Sequence, residues 1–584
     1  MRRELALNDG DRVPGDNRLF DVIIVGAGAA GCVLASRLSE SKDKSVLLIE
    51  AGPDAPPGQE HPQICDPFPL SLGNPKFRWS NLTGETGADR GDGTPRVSGP
   101  CLQGYGVGGS SNINGMLAYR GTPADFEEWQ SLGALGWGWQ DVLPYFNKLE
   151  RDLDFSSSLH GDQGPIPIRR IAPADWAPFS KAMGAAASRR GYSMIEDCNA
   201  DFRDGVSSSP MSSLPERRVS APMAYLTKNV RSRPNLTILA GALVERLDVR
   251  GSRACGVIAR TANGTQRLLS RETIVSCGGL QSPALLMRSG IGPADKLRAL
   301  GIEVIQDLPG IGGNLRNKPK VDIAVHLRAA STQSPNQRGL GQNFLRYTSS
   351  VLDCSQHDMS IKFVNKTAWH PLGRRIGGIT VCLHQPYSIG SVELASADPT
   401  VGPVIRFNVL SDPRDFERLV EGLRIGFDLL SDREVVKLCN EVFLPSGKIV
   451  ARLNNPTRRS YFQACLLSSL MSSRVLRRAM LKRVTLDLDA LLKDNEALRG
   501  IVRRHVGLGW HVCGTCKMGA DADPMAVLNP QCRVRGVAGL RVVDASIYPT
   551  SAGEQGMHIS VLMVAEKMAD VIKAQWAEAE REST

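Results

Sequence analysis

Residues 20–41, FDVIIVGAGAAGCVLASRLSES, change character twice. Phe20 to Val25 is a short apolar run rich in β-branched residues, the composition of a buried strand. Gly26-Ala27-Gly28-Ala29-Ala30-Gly31 follows at once and opens CVLASRLSES, whose apolar residues recur at helical spacing. The stretch predicts strand, tight turn and helix. Gly26 permits the turn, Gly28 lets the backbone approach a ligand at the positive end of the helix, and Gly31 lets helix and strand pack.

A second strand, Ser45 to Ile49, ends in Glu50, about twenty residues beyond the glycines, where a carboxylate can accept hydrogen bonds from a ribose. A lone G-x-G-x-x-G is weak evidence. With both strands, the helix and the acid in register, it predicts an adenine dinucleotide bound against Gly26, Gly28, Ala29, Ala30, Gly31, Glu50 and Ala51.

The surrounding chain is that of a folded enzyme-sized protein. At 584 residues it exceeds one compact core. With 42% hydrophobic and 22% charged residues it has ordinary globular composition. The net charge of +10 is spread along the chain, and the 9 tyrosines and 15 phenylalanines form no stacking stripe, so nucleic-acid binding is not expected. Arg458 to Arg483 is the local exception, a basic stretch without an acid whose apolar residues recur at helical spacing. It reads as a surface helix covering part of the core, and also offers a peripheral contact with an anionic membrane. No apolar run is long enough to span a bilayer, and the first residues are too charged for a signal peptide, so the expected location is cytoplasmic. The 13 scattered cysteines fit reduced thiols.

Gly99 to Gly121, GPCLQGYGVGGSSNINGMLAYRG, is a second loop crowded with glycine and small hydroxyl residues, able to approach a phosphate or ring closely. It resembles the first signature of the glucose-methanol-choline (GMC) family of FAD-dependent oxidoreductases, and TPADFEEWQSLGALGWGWQDVLPYF resembles the continuation. Gly278 to Gly292, GGLQSPALLMRSGIG, is similar to the second signature, with Gly279 where alanine or another small residue is usual. PGIGGNLRNKP, 309–319, resembles the segment after it, with Asn317 and Lys318 in place of an acid and a histidine. LRVVDAS, 540–546, and the helix beyond it resemble the C-terminal element of the family. In that helix Val561, Val564, Met568 and Val571 fall on one face, leaving Glu566 and Lys567 for solvent.

The resemblance implies FAD, contacted also by Val107, Gly109, Ser110, Asn112, Asn114, Gly115, Val244, Asp544 and Ala545. Ile113 stands where some members attach the flavin through histidine, so the FAD is expected to be noncovalent. The implied fold is α/β: a discontinuous Rossmann-like FAD-binding domain (18–164, 236–319 and 501–575) and an α+β substrate domain containing an antiparallel sheet (165–235 and 320–500). The ends, 1–17 and 576–584, are expected to be flexible.

GWHVCGTCKMG, 509–519, offers three readings by itself: a redox dithiol, a metal clip, or a loop around one histidine. A glycine loop is not the helix start that dithiols favour, and no second C-x-x-C supplies a fourth zinc ligand, so no metal is expected. The resemblance makes His511 the catalytic base and His558 its partner. Removing a hydroxyl proton while hydride leaves carbon requires a base near neutrality and a group that holds the oxygen. Trp510 is the substrate candidate, able to stack on a flat alcohol or cup a cation.

Asn81, HGDQGPIPI (160–168) and HQPYSIGSVELAS (384–396) look closer to choline-dehydrogenase-like and hydroxymethylfurfural or aryl-alcohol oxidases than to sugar oxidases. The expected reaction is oxidation of a primary alcohol, aromatic ones included, to the aldehyde, with oxygen or a quinone or other carrier as acceptor. The alternatives are a non-oxidative enzyme on the same fold, of the hydroxynitrile lyase or fatty acid photodecarboxylase type, and a flavin-containing membrane-associated binding protein.

Overall fold

The computed structural model describes residues 18–87, 97–552 and 556–583. The expected loose N-terminus, 1–17, lies outside them. Two large sheets organise the chain. The first has seven strands in the order Leu236–Ala240, Val46–Glu50, Leu19–Val25, Gly264–Val275, Arg253–Thr261 and Leu243–Arg250, with Leu540–Val542 paired to Gly264–Val275. Its strands from Leu236 to Val275 and Leu540–Val542 are parallel in their pairings, while Arg253–Thr261 and Leu243–Arg250 form an antiparallel extension. Val46–Glu50 is buried throughout, as a strand covered on both faces must be.

Helix Ala29–Leu38 covers this sheet and packs against the C-terminal helix His558–Ser583. Glu566 does not face solvent. It is fully buried, accepts hydrogen bonds from Arg37 Nη2 (2.9 Å) and the Tyr225 hydroxyl (2.9 Å), and lies 3.3 Å from Lys148 Nζ. The helical period placed it opposite the apolar stripe, but a second layer of chain covers that face too. Lys567 lies over the rings of Trp137 and Tyr145, at 5.3 and 5.2 Å. The helix also continues through residues 576–583 where a loose tail was expected, and Lys44 pairs with its Glu580.

The second sheet has eight strands, in the order Cys439–Phe443, Pro319–Leu327, Ile376–Leu383, Met359–Val364, Gly341–Tyr347, Gly205–Ser208 and Ser193–Ile195, with Val506–Leu508 also on Pro319–Leu327. Helix Pro413–Leu430 lies so close to it that a Cβ on Gly422 or Gly426 would sit 2.4 Å from Val381 Cγ1 or Ile379 Cδ1. Two expected boundaries shift. Val506–Leu508 joins the second sheet, although 501–575 was assigned to the first region. Within 320–500, assigned to the substrate region, Ser391–Glu393 and Val404–Val409 form a separate four-stranded sheet with Thr83–Gly87 and Ser98–Pro100 from the first region. Strand pairing links segments on both sides of the expected division, a long-range choice that local sequence does not encode.

Candidate active site

Gly26 has φ +96°, and a Cβ there would lie 2.6 Å from the Ser276 carbonyl oxygen, so the turn after the first strand requires glycine. Gly28 caps helix Ala29–Leu38 without any side-chain hydrogen bond. The helix start is left bare beside a large cavity lined by Gly26, Gly28, Ala29 and Ala30. Gly31 lies outside that lining; its Cβ would meet Gly26 O at 2.0 Å and Leu48 Cδ1 at 3.5 Å, so its role is packing.

Glu50 and Ala51 line the cavity as well. The Glu50 carboxylate accepts hydrogen bonds from the backbone N–H of Ala27 (3.0 Å), Gly52 (2.9 Å) and Gly106 (3.2 Å). It therefore ties both glycine loops together, and burial raises its pKa.

From the second loop, Gly109, Ser110, Asn114 and Gly115 reach the cavity. Val107 and Asn112 do not: Val107 is in the hydrophobic core, and Asn112 Nδ2 turns back to donate to the Val107 carbonyl at 2.8 Å. Arg218, a fully buried residue that the sequence reading missed, donates to Asn114 Oδ1 (2.6 Å) and to the Asn114 carbonyl (2.8 Å). Met116 N–H also donates to Asn114 Oδ1, at 3.1 Å, leaving the Asn114 amide nitrogen as its donor toward the cavity. Burial lowers the Arg218 pKa to about 9.

Val244, Asp544 and Ala545 complete the expected cofactor group, and all three line the cavity. Asp544 accepts from Gly278 N–H (2.7 Å), Ser282 Oγ (2.5 Å) and Ser546 N–H (2.7 Å), fixing the segment before the C-terminal helix.

The 509–519 loop is threaded between two other segments of the chain. On one side Gly509 N–H donates to Lys318 O (2.8 Å), and Arg316 and Cys513 exchange backbone hydrogen bonds at 3.0 and 3.1 Å. On the other, Gly514 N–H donates to Ala545 O (3.1 Å) and Cys516 N–H to Ser546 O (2.8 Å). Cys513 and Cys516 are free thiols, fully buried in the core, with burial raising both pKa values. A Cβ on Gly279 would lie 2.8 Å from Val512 O, so glycine at this position follows from the approach of the loop.

His511 emerges from this loop into the cavity, and His558 reaches the same cavity from the first position of the C-terminal helix. Asn317 Oδ1 accepts the His511 backbone N–H at 2.9 Å, and His511 Nδ1 is buried without a hydrogen-bond partner. Burial, reinforced by the nearby Lys318 ammonium, holds the His511 pKa well below the usual histidine value. His558 is pushed down to about 4 by burial and then by Arg218. Both rings are neutral near pH 7. Trp510 also lines the cavity; its φ is +61°, and its ring packs edge-on against Phe407 at 5.8 Å.

The second sheet supplies groups that sequence reasoning missed. Asp322, Thr380 and Lys362 lie side by side on three adjacent strands, with Thr380 Oγ1 donating to Asp322 at 2.7 Å and Lys320 Nζ to the same carboxylate at 2.6 Å. Lys318, Lys320, Asp322 and Lys362 all line the cavity. The signal was the alternation of Lys318, Lys320 and Asp322 with apolar residues in KPKVDIAVHL, which ordinarily marks a solvated face; here that face closes the cavity. The cavity volume is about 1800 Å³, larger than the roughly 300–1,000 Å³ of an ordinary small-ligand pocket, which leaves room for a dinucleotide and a substrate together.

Residues 20–320 and 386–565 match the N- and C-terminal models of the GMC oxidoreductases. The chain belongs to the GMC oxidoreductase family. It is 38% identical over 564 residues to a 5-(hydroxymethyl)furfural oxidase of Methylovorus sp. (strain MP688), covering 95% of this chain and 99% of that protein. An oxygen-dependent choline dehydrogenase of Vibrio vulnificus (strain YJ016) is 32% identical, with 95% and 94% covered. Among solved structures, pyridoxine 4-oxidase from Mesorbium loti aligns with a TM-score of 0.78 at 28% identity, covering 94% of this chain and 98% of that one.

As a GMC enzyme the protein is an FAD-dependent oxidoreductase acting on CH–OH donors. The fittings suit that cofactor: a helix start without a side-chain cap beside the cavity, Gly26, Gly28, Gly109 and Gly115 along its lining, and a cavity large enough for two ligands.

Proposed function

We propose that this GMC enzyme oxidises a neutral primary alcohol to its aldehyde, with His511 as the base and His558 holding the substrate oxygen. The observation that carries the reading is the convergence of two neutral histidines on the cavity that the dinucleotide turn also lines. FAD, when bound, supplies the two-electron acceptor. A neutral His511 can take the hydroxyl proton, and the Asn317 hydrogen bond fixes the backbone that presents it. His558 and the Asn114 amide offer polar groups to the cavity where substrate and FAD would be held.

The proposed cofactor contacts are those of Gly26, Gly28, Ala29, Ala30, Glu50, Ala51, Gly109, Ser110, Asn114, Gly115, Val244, Asp544 and Ala545. Ile113 has no nucleophile to form a covalent link, which supports noncovalent FAD. The first sheet is proposed to carry the cofactor and the second to form the substrate side.

The lysines of the chamber support one choice among the substrates named for relatives. Lys320 pairs with Asp322, and Lys318 and Lys362 add basic side chains to the same second-sheet side of the chamber, a setting that disfavours a quaternary ammonium head such as that of choline. An uncharged aromatic alcohol meets no such penalty, and Trp510 is proposed to border it. The acceptor is oxygen or another carrier.

The test is a visible spectrum of the purified enzyme before and after anaerobic addition of benzyl alcohol, hydroxymethylfurfural, pyridoxine and choline. Bleaching of the flavin bands by the neutral alcohols and not by choline is expected. A flavin that no alcohol bleaches overturns the reading in favour of non-oxidative chemistry.

A further inference from the structure

Three consecutive helices, Gly447–Asn454, Arg458–Ser472 and Arg474–Leu481, form a cap at the edge of the second sheet. From Pro445 to Leu486 the sequence contains nine Lys or Arg and no Asp or Glu. The inner side of the cap is secured. Leu453, Ala464, Met471 and Leu481 form a small core with Phe443 and Leu372, while Arg477 hydrogen-bonds to Glu441, with Arg478 3.8 Å from the same carboxylate.

Its outer side inverts the usual rule for a surface helix. Phe462 is 70% exposed, Leu466 63%, Val475 76% and Ile449 57%. In Arg474–Leu481 an arginine, Arg477, is buried while Val475, Leu476 and Met480 point outward. Apolar residues and arginines therefore share one exposed face. Ile449, Val450 and Met480 belong to that face and also line the cavity that holds His511, so the mouth of the active-site cavity opens there.

We propose that this cap is a docking surface for an anionic lipid bilayer, which Phe462, Leu466 and Val475 enter while Arg458, Arg459, Arg474 and Lys482 meet the headgroups. Charge complementarity selects the occupant. Two copies meeting symmetrically through this face would oppose two sets of exposed cations, whereas an anionic leaflet attracts them and receives the apolar side chains. Docking sets the cavity mouth against the lipid.

The test is co-sedimentation of the FAD-loaded enzyme with phosphatidylcholine vesicles, with and without about a third phosphatidylglycerol. Binding to the anionic vesicles alone, weakened by salt, is expected. F462S/L466S/V475S and R458Q/R459Q/R474Q are each expected to weaken binding roughly tenfold or more, with flavin reduction in solution unchanged, since none of these residues lines the cavity. Absence of binding by the unmodified enzyme, or equal binding by the variants, overturns the proposal. Concentration-dependent self-association that F462S/L466S/V475S abolishes, without vesicle binding, overturns it in favour of a second copy.

Discussion

Asn317 Oδ1 accepts hydrogen bonds from the backbone N–H of both His511 and Lys318, each at 2.9 Å. One side chain thereby fixes the loop that carries the proposed base and the strand start that carries the nearest cation. Asn317→Ala removes an acceptor worth about 1–2 kcal/mol to a buried donor, so flavin reduction is expected to fall about fivefold to thirtyfold with FAD content retained. Asn317→Asp keeps the acceptor and is expected to restore part of the rate. Anaerobic stopped-flow reduction checks both, and an unchanged rate in Asn317→Ala contradicts the role.

The depressed pKa of His511 sets the acid side of the pH profile. A histidine held below its ordinary value stays neutral as the pH falls through about 6.5, so flavin reduction is expected to remain on its plateau there. Lys318→Met removes a positive neighbour, which raises the His511 pKa and moves the acid limb upward. A limb that stays in place or moves down contradicts this electrostatic account.

The Ile113 side chain is a hydrocarbon and can form no bond to a flavin. Acid precipitation is expected to release all FAD into the supernatant, and removal of FAD from the native enzyme to lower its melting temperature, because a ligand bound only by the folded state stabilises it. Flavin absorbance retained by the washed pellet contradicts this prediction.

A buried ion network at the two-stranded sheet of Glu150–Asp152 and Ile166–Ile168 gives a prediction about stability. His160 contacts Glu150 (2.8 Å), Asp152 (3.2 Å) and Asp197 (2.6 Å), while Arg120 and Arg170 pair with the same carboxylates. Burial alone would lower its pKa, but hydrogen bonds to Asp152, Asp197 and Glu150 outweigh it and raise the value to about 10. A raised folded pKa means that the stabilisation is complete below the unfolded value near ~6.5 and is lost as pH rises through about 10. His160→Gln is expected to cost about 3–5 kcal/mol by leaving buried carboxylates underpaired, read by denaturant unfolding. A cost near zero, or a difference from the parent that grows with rising pH, contradicts the account.

The legible part of this protein was local. Phe20 to Glu50 spells strand, turn and helix because Gly26 and Gly31 meet nearby steric demands, and the strands expected at Phe20 to Val25 and Ser45 to Ile49 do pair in one sheet. What stayed hidden depends on chain meeting distant chain. Glu566 looked solvated until Arg37 and Tyr225 covered it. Lys318, Lys320 and Asp322 alternate as an exposed strand would, and only the closure of the second sheet over the cavity gives them a chemical setting. Arg218 carries no local signal for its hold on Asn114, 104 positions earlier in the chain.

The measurement that tests the central claim most directly is the anaerobic rate of flavin reduction by benzyl alcohol in the parent enzyme and in His511→Ala, with FAD content determined for both. The account predicts equal FAD content and a rate roughly a hundredfold or more lower in the variant. Reduction at the parental rate would contradict the assignment of His511 as the base.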